Sequence, residues 1–465
     1  MTIGVNPILM MDSYKASHYR QYPPGTERVS SYIEARRAPE GWDGVQFFGL
    51  QILLKEVLSR PFTRDDVEEA EEVLTAHGVP FNRQGWDHIL NRHGGFMPIE
   101  ITAVPEGSVI PVQNVLAQVE NTDDGVPWIT SYLETALLRA VWYPTTVTTL
   151  SRQMKREILA SLRRTSDNPE EQIAFRLHDF GARGVSSGES AGVGGLAHLV
   201  NFLGTDTVEA LLYGRRYYGE TMAGFSIPAS EHSTMTAWGR EGEADAYANM
   251  LECFSGEGKL VACVSDSYDI RAACRDIWGD ALKDQVLASG GTLVVRPDSG
   301  EPTEIVPDVL DILENAFGST THSMGYKVLH PSVRVVQGDG IDTISLPRIL
   351  AAIENAGFST ENVAFGMGGG LLQHVNRDTL GFAMKASAVR VGGHWRDIYK
   401  KPVTDPDKIS KRGRLSLVSD GAGVRTVRLE DAACEDRLLS PVFRNGEVLR
   451  SQTLSDVRDR ASANL

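Results

Sequence analysis

The chain has 465 residues, enough for two or three domains with substantial cores, and its 42% hydrophobic and 23% charged content is ordinary for a globular protein. A formal net charge of −15 excludes a general binder of nucleic acid or of membrane surfaces, although a few converging arginines can still receive an anionic substrate. Four cysteines (Cys253, Cys263, Cys274 and Cys434) form no CxxC pair and show no zinc-ligand spacing with histidine, which reads as free thiols in a reducing cytoplasm.

The N-terminal MTIGVNPILMMDSYK lacks a basic flank and a small-residue cleavage site, so no signal peptide is expected. No run approaches the roughly 18 apolar residues of a membrane helix. Thr63-Arg-Asp-Asp66 predicts a capping box for the helix that follows, VEEAEEVLTAHG. Ile99, Ile101 and Ala103 alternate with polar neighbours and precede the turn Pro105-Glu-Gly107, a pattern of paired strands. Trp128 to Tyr143 carries apolar residues at helical spacing. Near the C-terminus VFRNGEVLRSQTL predicts a hairpin turning at Asn445-Gly446.

The middle of the chain has another rhythm. Short apolar runs each end in polar, glycine-rich chemistry: AFRLHDFG, HLVNFLGTD, GFSIPASEH, LVACVSDSYD, TLVVRPDSG, VRVVQGDG, ENVAFGMGGG and FAMKASAVRVGG. Helical stretches such as VPDVLDILENAF and SLPRILAAIENAG separate several of them. Strand, loaded loop, helix, strand is the rhythm of a parallel α/β fold, and eight such strands suggest a barrel with its functional residues at the C-terminal strand ends. An open doubly wound sheet is the structural alternative; no GxGxxG fingerprint supports its dinucleotide-binding form.

In LHDFGARGVSS, Leu177 to Ser187, the letters Asp-Phe-Gly match the magnesium-binding tripeptide of protein kinases. The chain has no Gly-rich loop with a VAIK-type lysine and no HRD loop upstream, so the match is a coincidence of letters. Gly368, Gly369 and Gly370 in FGMGGGLL form a candidate phosphate cradle or a tight turn. Arg296 and Asp298 end one run, Asp339 the next, and Ser265, Asp266 and Asp269 the run before. Carboxylates suit sugar hydroxyls and arginines suit phosphates. His232 in PASEHST follows an apolar run, where a structural and a functional role are both open.

Taken together, MDSYKASHYRQYPPGT, LHDFGARGVSS, HLVNFLGTDT, PASEHSTMTAWG, VSDSYDI, RPDSG, VQGDG, FGMGGGLLQ and GRLSL closely resemble the nicotinate/nicotinamide phosphoribosyltransferase family, and its nicotinamide-specific branch in particular. The resemblance implies an irregular α/β (TIM-like) barrel over residues 151–394 and a second α+β domain built from 1–150 and 395–465. It implies transfer of phosphoribosyl from phosphoribosyl pyrophosphate to nicotinamide, with magnesium, with ATP as co-substrate or activator, and in a cytoplasmic homodimer whose active sites lie at the interface. Nicotinate is the alternative acceptor.

The site residues follow by the same resemblance. Phe180 and the partner subunit's Tyr14 are expected to sandwich the pyridine ring, Asp206 to hold the carboxamide, and Arg183 and Arg296 to line the pocket. Ser226, Ser265, Gly338, Asp339, Gly368 and Gly369 are expected at ribose or phosphate, and Arg36, Arg377 and Lys385 at phosphates across the interface. His232 resembles a histidine phosphorylated by ATP, with Asp269 and Asp298 in its neighbourhood; no metal ligand is assigned. Met367 and Ala383 stand where the family commonly has serine.

Overall fold

The computed structural model describes residues 6–404, 409–421 and 423–463. In chain order, the strands of its two main sheets are β1 (Thr26–Glu34), β2 (Ile99–Ala103), β3 (Val115–Asn121), β4 (Leu177–Asp179), β5 (Gly204–Thr205), β6 (Leu260–Val264), β7 (Thr292–Arg296), β8 (Val333–Gln337), β9 (Val363–Met367), β10 (Ala383–Val391), β11 (His394–Asp397), β12 (Ser440–Arg444) and β13 (Glu447–Val448). Contacts divide the chain into two compact units. One comprises Met1–Thr149, Arg216–Glu220 and Val375–Leu465; the other comprises Leu150–Arg215 and Thr221–His374.

The first unit holds an antiparallel sheet in the order β11-β10-β1-β3-β2-β12-β13. The alternation in β2 works as its sequence predicts: Ile99, Ile101 and Ala103 are buried while the residues between are half-buried. Helix α1 (Arg64–Ala76) begins at the expected capping box, where the Thr63 hydroxyl accepts from the Asp66 N–H and the Asp66 carboxylate accepts from the Thr63 N–H. Helix α2 (Arg83–His93) follows and ends at Gly94, whose φ of 62° is left-handed. The hairpin β12–β13 turns at Asn445 (φ 49°) and Gly446 (φ 91°), the two positive values that a type I′ turn needs.

One strand departs from the expected rhythm. FAMKASAVRVGG forms β10, which pairs antiparallel with β1 (Ile33 opposite Met384, Val29 opposite Val389) in the first unit and not with the parallel strands. An apolar run predicts a strand but not its partner or its direction, which are set by distant contacts.

The second unit is built on a six-stranded parallel sheet in the order β5-β4-β9-β8-β7-β6. Parallel neighbours need crossover connections, and amphipathic helices supply them. After β7, α4 (Pro302–Phe317) buries Ile305, Val306, Val309, Leu310 and Leu313; after β8, α5 (Ser345–Asn355) buries Leu346, Ile349, Leu350 and Ile353. Between β5 and β6 the extended segment 225–229 makes isolated parallel bridges, Phe225 to Gly204 of β5 and Ala229 to Ala262 of β6, and leads into the short helix α3 (His232–Thr236). Ala262, Val294 and Val336 form a small separate core with Ile227 and Ala364, while Val261, Val295, Val335 and Phe365 alternate with them along the strands.

All six parallel strands therefore deliver their C-terminal ends to one edge of the sheet. No helix among the described residues is long and apolar enough to cross a membrane. All four cysteines are free, Cys263 and Cys274 being buried.

Candidate active site

Phe180 directly follows β4 and is half-buried, its N–H bonded to the Met367 carbonyl at 3.0 Å. Its ring occupies the space beside Gly366 and lies at contact distance from Gly338. A Cβ at Gly366 would lie 2.0 Å from Phe180 Cε2, and one at Gly338 would lie 3.4 Å from the same atom. The Cβ position at Gly338 is also 3.7 Å from Asp298 Oδ1, so Gly338 lies between the ring and that carboxylate. Asp179, one residue before, is fully buried and accepts hydrogen bonds from the Gly181 N–H at 2.8 Å and from the Thr205 hydroxyl at 3.1 Å. Burial pushes its carboxyl up from the ordinary aspartate value. Asp179 is thus a structural acid that ties β4 to β5.

Asp206 follows β5 and is exposed; its N–H bonds the Asp179 carbonyl at 2.9 Å. That bond fixes the Asp206 backbone beside the residue that precedes Phe180. Asp206 Oδ1 accepts the Ser226 hydroxyl at 2.5 Å, so Ser226 serves this carboxylate. Arg183 is exposed and has no hydrogen-bond or ion-pair partner among the described residues. His178 lies beside Phe180, ring centroids 6.0 Å apart; burial pulls its pKa down against the pull of Asp206, favouring the neutral imidazole.

A second cluster adjoins Asp298. His232 opens α3, with Nε2 2.8 Å from Asp266 Oδ1 and Nδ1 3.9 Å from Asp298 Oδ2. Asp266 is buried and also accepts the Ser299 hydroxyl at 2.5 Å. Arg296 Nη2 is 3.5 Å from Asp298 Oδ2, while its Nε is shielded from solvent without a partner among the described residues. A buried donor left unpaired is costly unless a ligand takes it up.

Two further expected residues of the VSDSYD stretch have partners of their own. Asp269 is the N-cap of the next helix, accepting from Arg271 N–H at 3.0 Å and Ala272 N–H at 3.1 Å. Ser265 is fully buried; its hydroxyl donates to the Cys263 carbonyl and accepts from the Trp278 indole, both at 3.0 Å. Asp266, the third strand-end candidate of the VSDSYD stretch, is the close partner of His232.

The Asp339 carboxylate is exposed after β8. Gly368 and Gly369 open α6 (Gly369–Leu372), whose single turn carries little dipole, so any anion there would be held by local N–H groups. A Cβ at Gly184 would meet Gly369 Cα at 3.4 Å, so the glycine run packs on the turn that carries Phe180 and Arg183. Met367, at one expected serine position, is buried.

The first unit holds the remaining predicted residues. Tyr14 is 59% exposed, with the Lys15 ammonium 5.0 Å from its ring centroid. Burial pulls the Lys385 pKa down; Glu134 opposes this, and the charges of Arg36, Lys400 and Lys15 add to it. Arg36 Nη2 is shielded and has no partner among the described residues. Arg377 is exposed and paired only with its neighbour Asp378 at 3.0 Å, while Ala383 is buried opposite Glu34. Of the basic stretch 408–416, Lys408 lies outside the described residues, Lys411 pairs with Glu34, and Arg414 lies 3.3 Å from Glu120.

These strand-end residues can be set beside known proteins. Residues 175–447 match the profile of the nicotinate phosphoribosyltransferase (NAPRTase) family, and residues 6–101 match the nicotinamide phosphoribosyltransferase N-terminal domain. The chain is a member of the nicotinate phosphoribosyltransferase family. Within it, the sequence is 54% identical to a nicotinamide phosphoribosyltransferase of Xanthomonas campestris pv. campestris over 98% of both chains. It is 31% identical to one of Acinetobacter baylyi over 100% of this chain and 99% of that one. The fold is shared with a nicotinate-nucleotide pyrophosphorylase of Pyrococcus furiosus (TM-score 0.63, 15% identity, 100% of this chain and 96% of that one). It is shared too with human nicotinic acid phosphoribosyltransferase (TM-score 0.57, 19% identity, 98% and 93%). In this phosphoribosyltransferase-family chain, Phe180 and Asp206 follow the paired strands β4 and β5.

Proposed function

We infer that the chain is a nicotinamide phosphoribosyltransferase, joining nicotinamide to the ribose of phosphoribosyl pyrophosphate and releasing pyrophosphate in NAD biosynthesis. The observation that carries this reading is the backbone bond from Asp206 N–H to Asp179 O, which sets Asp206 at the strand end next to the one that Phe180 follows. An aromatic face binds a flat ring, and a carboxylate at its rim accepts a hydrogen bond from a carboxamide NH₂. Toward nicotinate the same carboxylate would meet like charge, which disfavours that acceptor.

The pyridine nitrogen of nicotinamide has a free lone pair, so its attack on ribose C1 requires no general base. What the residues supply is orientation and charge. Phe180 fixes the ring, and holding the nitrogen near C1 replaces an encounter by an intramolecular step. As the C1–oxygen bond breaks, positive charge grows on the ribose, and the Asp298 and Asp339 carboxylates flanking Gly338 can offset it. Both carboxylates are also hard oxygen donors of the kind magnesium takes together with substrate phosphates; when bound, the ion would offset the charge of the departing pyrophosphate.

In this reading, Tyr14 and the cations Arg36, Lys385 and Arg377 come from a second copy of the chain in a cytoplasmic homodimer, as the resemblance implies. The unpartnered Arg36 Nη2 and the crowded Lys385 are groups that a phosphate would relieve. The bridges of segment 225–229 to both edge strands support closure of the parallel sheet into an irregular barrel, with the chain ends forming the second domain.

ATP coupling is assigned to His232. Asp266 is placed to hold a proton on Nε2, leaving the Nδ1 lone pair to attack the γ-phosphorus of ATP. The bond from that phosphorus to the bridging oxygen breaks, ADP leaves, and hydrolysis of the phosphohistidine returns inorganic phosphate. Arg296 Nε is an available donor for the transferred group.

One assay tests the reading: the protein is incubated with phosphoribosyl pyrophosphate, magnesium and either nicotinamide or nicotinate, with and without ATP. Nicotinamide mononucleotide and pyrophosphate should form in equal amounts, faster with ATP. Preferential formation of nicotinate mononucleotide would reverse the assignment of acceptor.

A further inference from the structure

A polar cluster in the first unit takes no part in the chemistry above. Asp123 lies in the loop after β3, with its carboxylate 6% exposed. One oxygen, Oδ2, is approached by two imidazoles: His88 Nε2 at 2.9 Å and His93 Nε2 at 2.6 Å. The other, Oδ1, accepts the Gly125 N–H at 2.7 Å. Arg92 Nε, on a largely exposed side chain, is 3.5 Å from Oδ2.

Both histidines lie on α2, five residues apart, where the helix pitch alone does not bring them to one face. They meet because the Asp123 loop reaches the end of the helix. That loop is firmly held: the buried Asn121 side chain donates to the Asp123 carbonyl at 2.7 Å and to the Glu27 carbonyl at 2.8 Å, and accepts the Val29 N–H at 2.8 Å. The carboxylate is therefore positioned before any ligand arrives.

Two neutral imidazole nitrogens and a carboxylate oxygen are the donor set of late first-row divalent ions and a poor one for magnesium. The three ligand atoms all lie within 4.8 Å of one another. Around a tetrahedral ion with bonds of about 2.0–2.1 Å the ligand atoms lie roughly 3.3 Å apart, so the two imidazole–carboxylate distances would each widen by less than about 1 Å. The ion would take the place of the Nε2 protons that now face Oδ2: in a neutral ring the proton moves to Nδ1, and a doubly protonated ring releases one to solvent. His88 and His93 are partly exposed, which leaves a way in for the ion and a fourth position for water. Arg92 opposes a cation here, but its only contact in the cluster is the 3.5 Å approach, and it is free to turn into solvent.

We propose that His88, His93 and Asp123 form a binding site for a zinc-class divalent ion, fastening the C-terminal end of α2 to the loop after β3. The test uses the untagged full-length protein, treated with a chelator and then titrated with Co²⁺. One equivalent should bind with the intense visible absorption of four-coordinate cobalt, and Zn²⁺, but not excess Mg²⁺, should bleach it. Zn²⁺ should also raise the Tm of the protein, whether or not substrates are present. His88→Gln and His93→Gln should each weaken Co²⁺ binding by more than the roughly 10–100-fold seen when a residue merely supporting a ligand is lost. Asp123→Asn, which keeps the shape, is the further variant if a histidine variant folds poorly, and it should also lose the absorption. The weak spectrum of six-coordinate cobalt, or binding unchanged in all three variants, would overturn the proposal. Neither result would bear on nicotinamide transfer, which is measured separately.

Discussion

The Cδ2–Cε2 edge of Phe180 fills the space that a side chain at Gly366 would need: a Cβ there would fall 2.0 Å from Cε2 and 2.3 Å from Cδ2. A methyl group cannot be added without displacing the ring. Gly366→Ala should therefore raise the KM for nicotinamide about tenfold, within the ~1–3 kcal/mol typical of overpacking, with little change in the KM for phosphoribosyl pyrophosphate. Steady-state kinetics with each substrate varied in turn checks this. Equal rises in both KM values would mean that the ring is not the part disturbed.

In the proposed reading, Asp206 carries the choice of acceptor. Asp206→Asn removes the charge that repels nicotinate and weakens a charge-assisted hydrogen bond to nicotinamide. Such bonds contribute about 1.5–3 kcal/mol, so the nicotinamide-to-nicotinate ratio of kcat/KM should fall roughly 10- to 100-fold. Ser226→Ala, which removes the hydroxyl that orients Asp206, should lower the same ratio by less. A ratio unmoved by Asp206→Asn would remove this residue from the specificity argument.

The pair His232–Asp266 makes a separable prediction. His232→Ala should abolish stimulation by ATP while slow ATP-independent synthesis persists. Asp266→Asn keeps a hydrogen-bonding group 2.8 Å from Nε2 but no longer stabilises the proton there, so ATP stimulation should fall while the KM for nicotinamide holds. Radiolabel from γ-labelled ATP should appear on the native protein as an acid-labile, base-stable adduct and be absent from His232→Ala. Full stimulation in that variant would place the phosphoryl acceptor elsewhere.

What the sequence made legible was set by chain-local chemistry. The capping box at Thr63 and the Asn445-Gly446 turn are contacts within four residues, and both formed as read. The strand ends of the parallel sheet were legible because each apolar run stops at its own polar cluster. The features that were harder to read depend mostly on distant partners. The eighth run, β10, joined the antiparallel sheet because β1 pairs with it. Ser265 and Asp266 are adjacent in sequence, yet one hydroxyl was taken by Trp278 from a later helix and one carboxylate by His232 from an earlier one. Asp269 did carry a local signal, an aspartate immediately before a helix. Gly366 was hidden in a glycine run, since only the Phe180 ring from another strand gives it a purpose.

His322 gives a pH dependence whose sign can be worked out. Its Nδ1 is 2.8 Å from Asp167 Oδ2 and its Nε2 is 2.8 Å from Glu361 Oε2. Burial alone would lower its pKa, but hydrogen bonds to Glu361 and then Asp167 outweigh this and raise it above 6.5. A histidine whose folded pKa exceeds its unfolded value stabilises the fold fully below the unfolded value, and that contribution disappears as the pH rises through the raised folded value. Glu361 is buried, but Asp167 and the His322 ring are partly exposed, so the effect is modest and screened by salt. His322→Gln should lower the Tm by about 1–3 °C at pH 6 and by much less at pH 9, with the difference shrinking at high ionic strength. Thermal unfolding of both proteins across that range measures it. A Tm deficit constant with pH would assign His322 a packing role and leave the charge bridge without a part in stability.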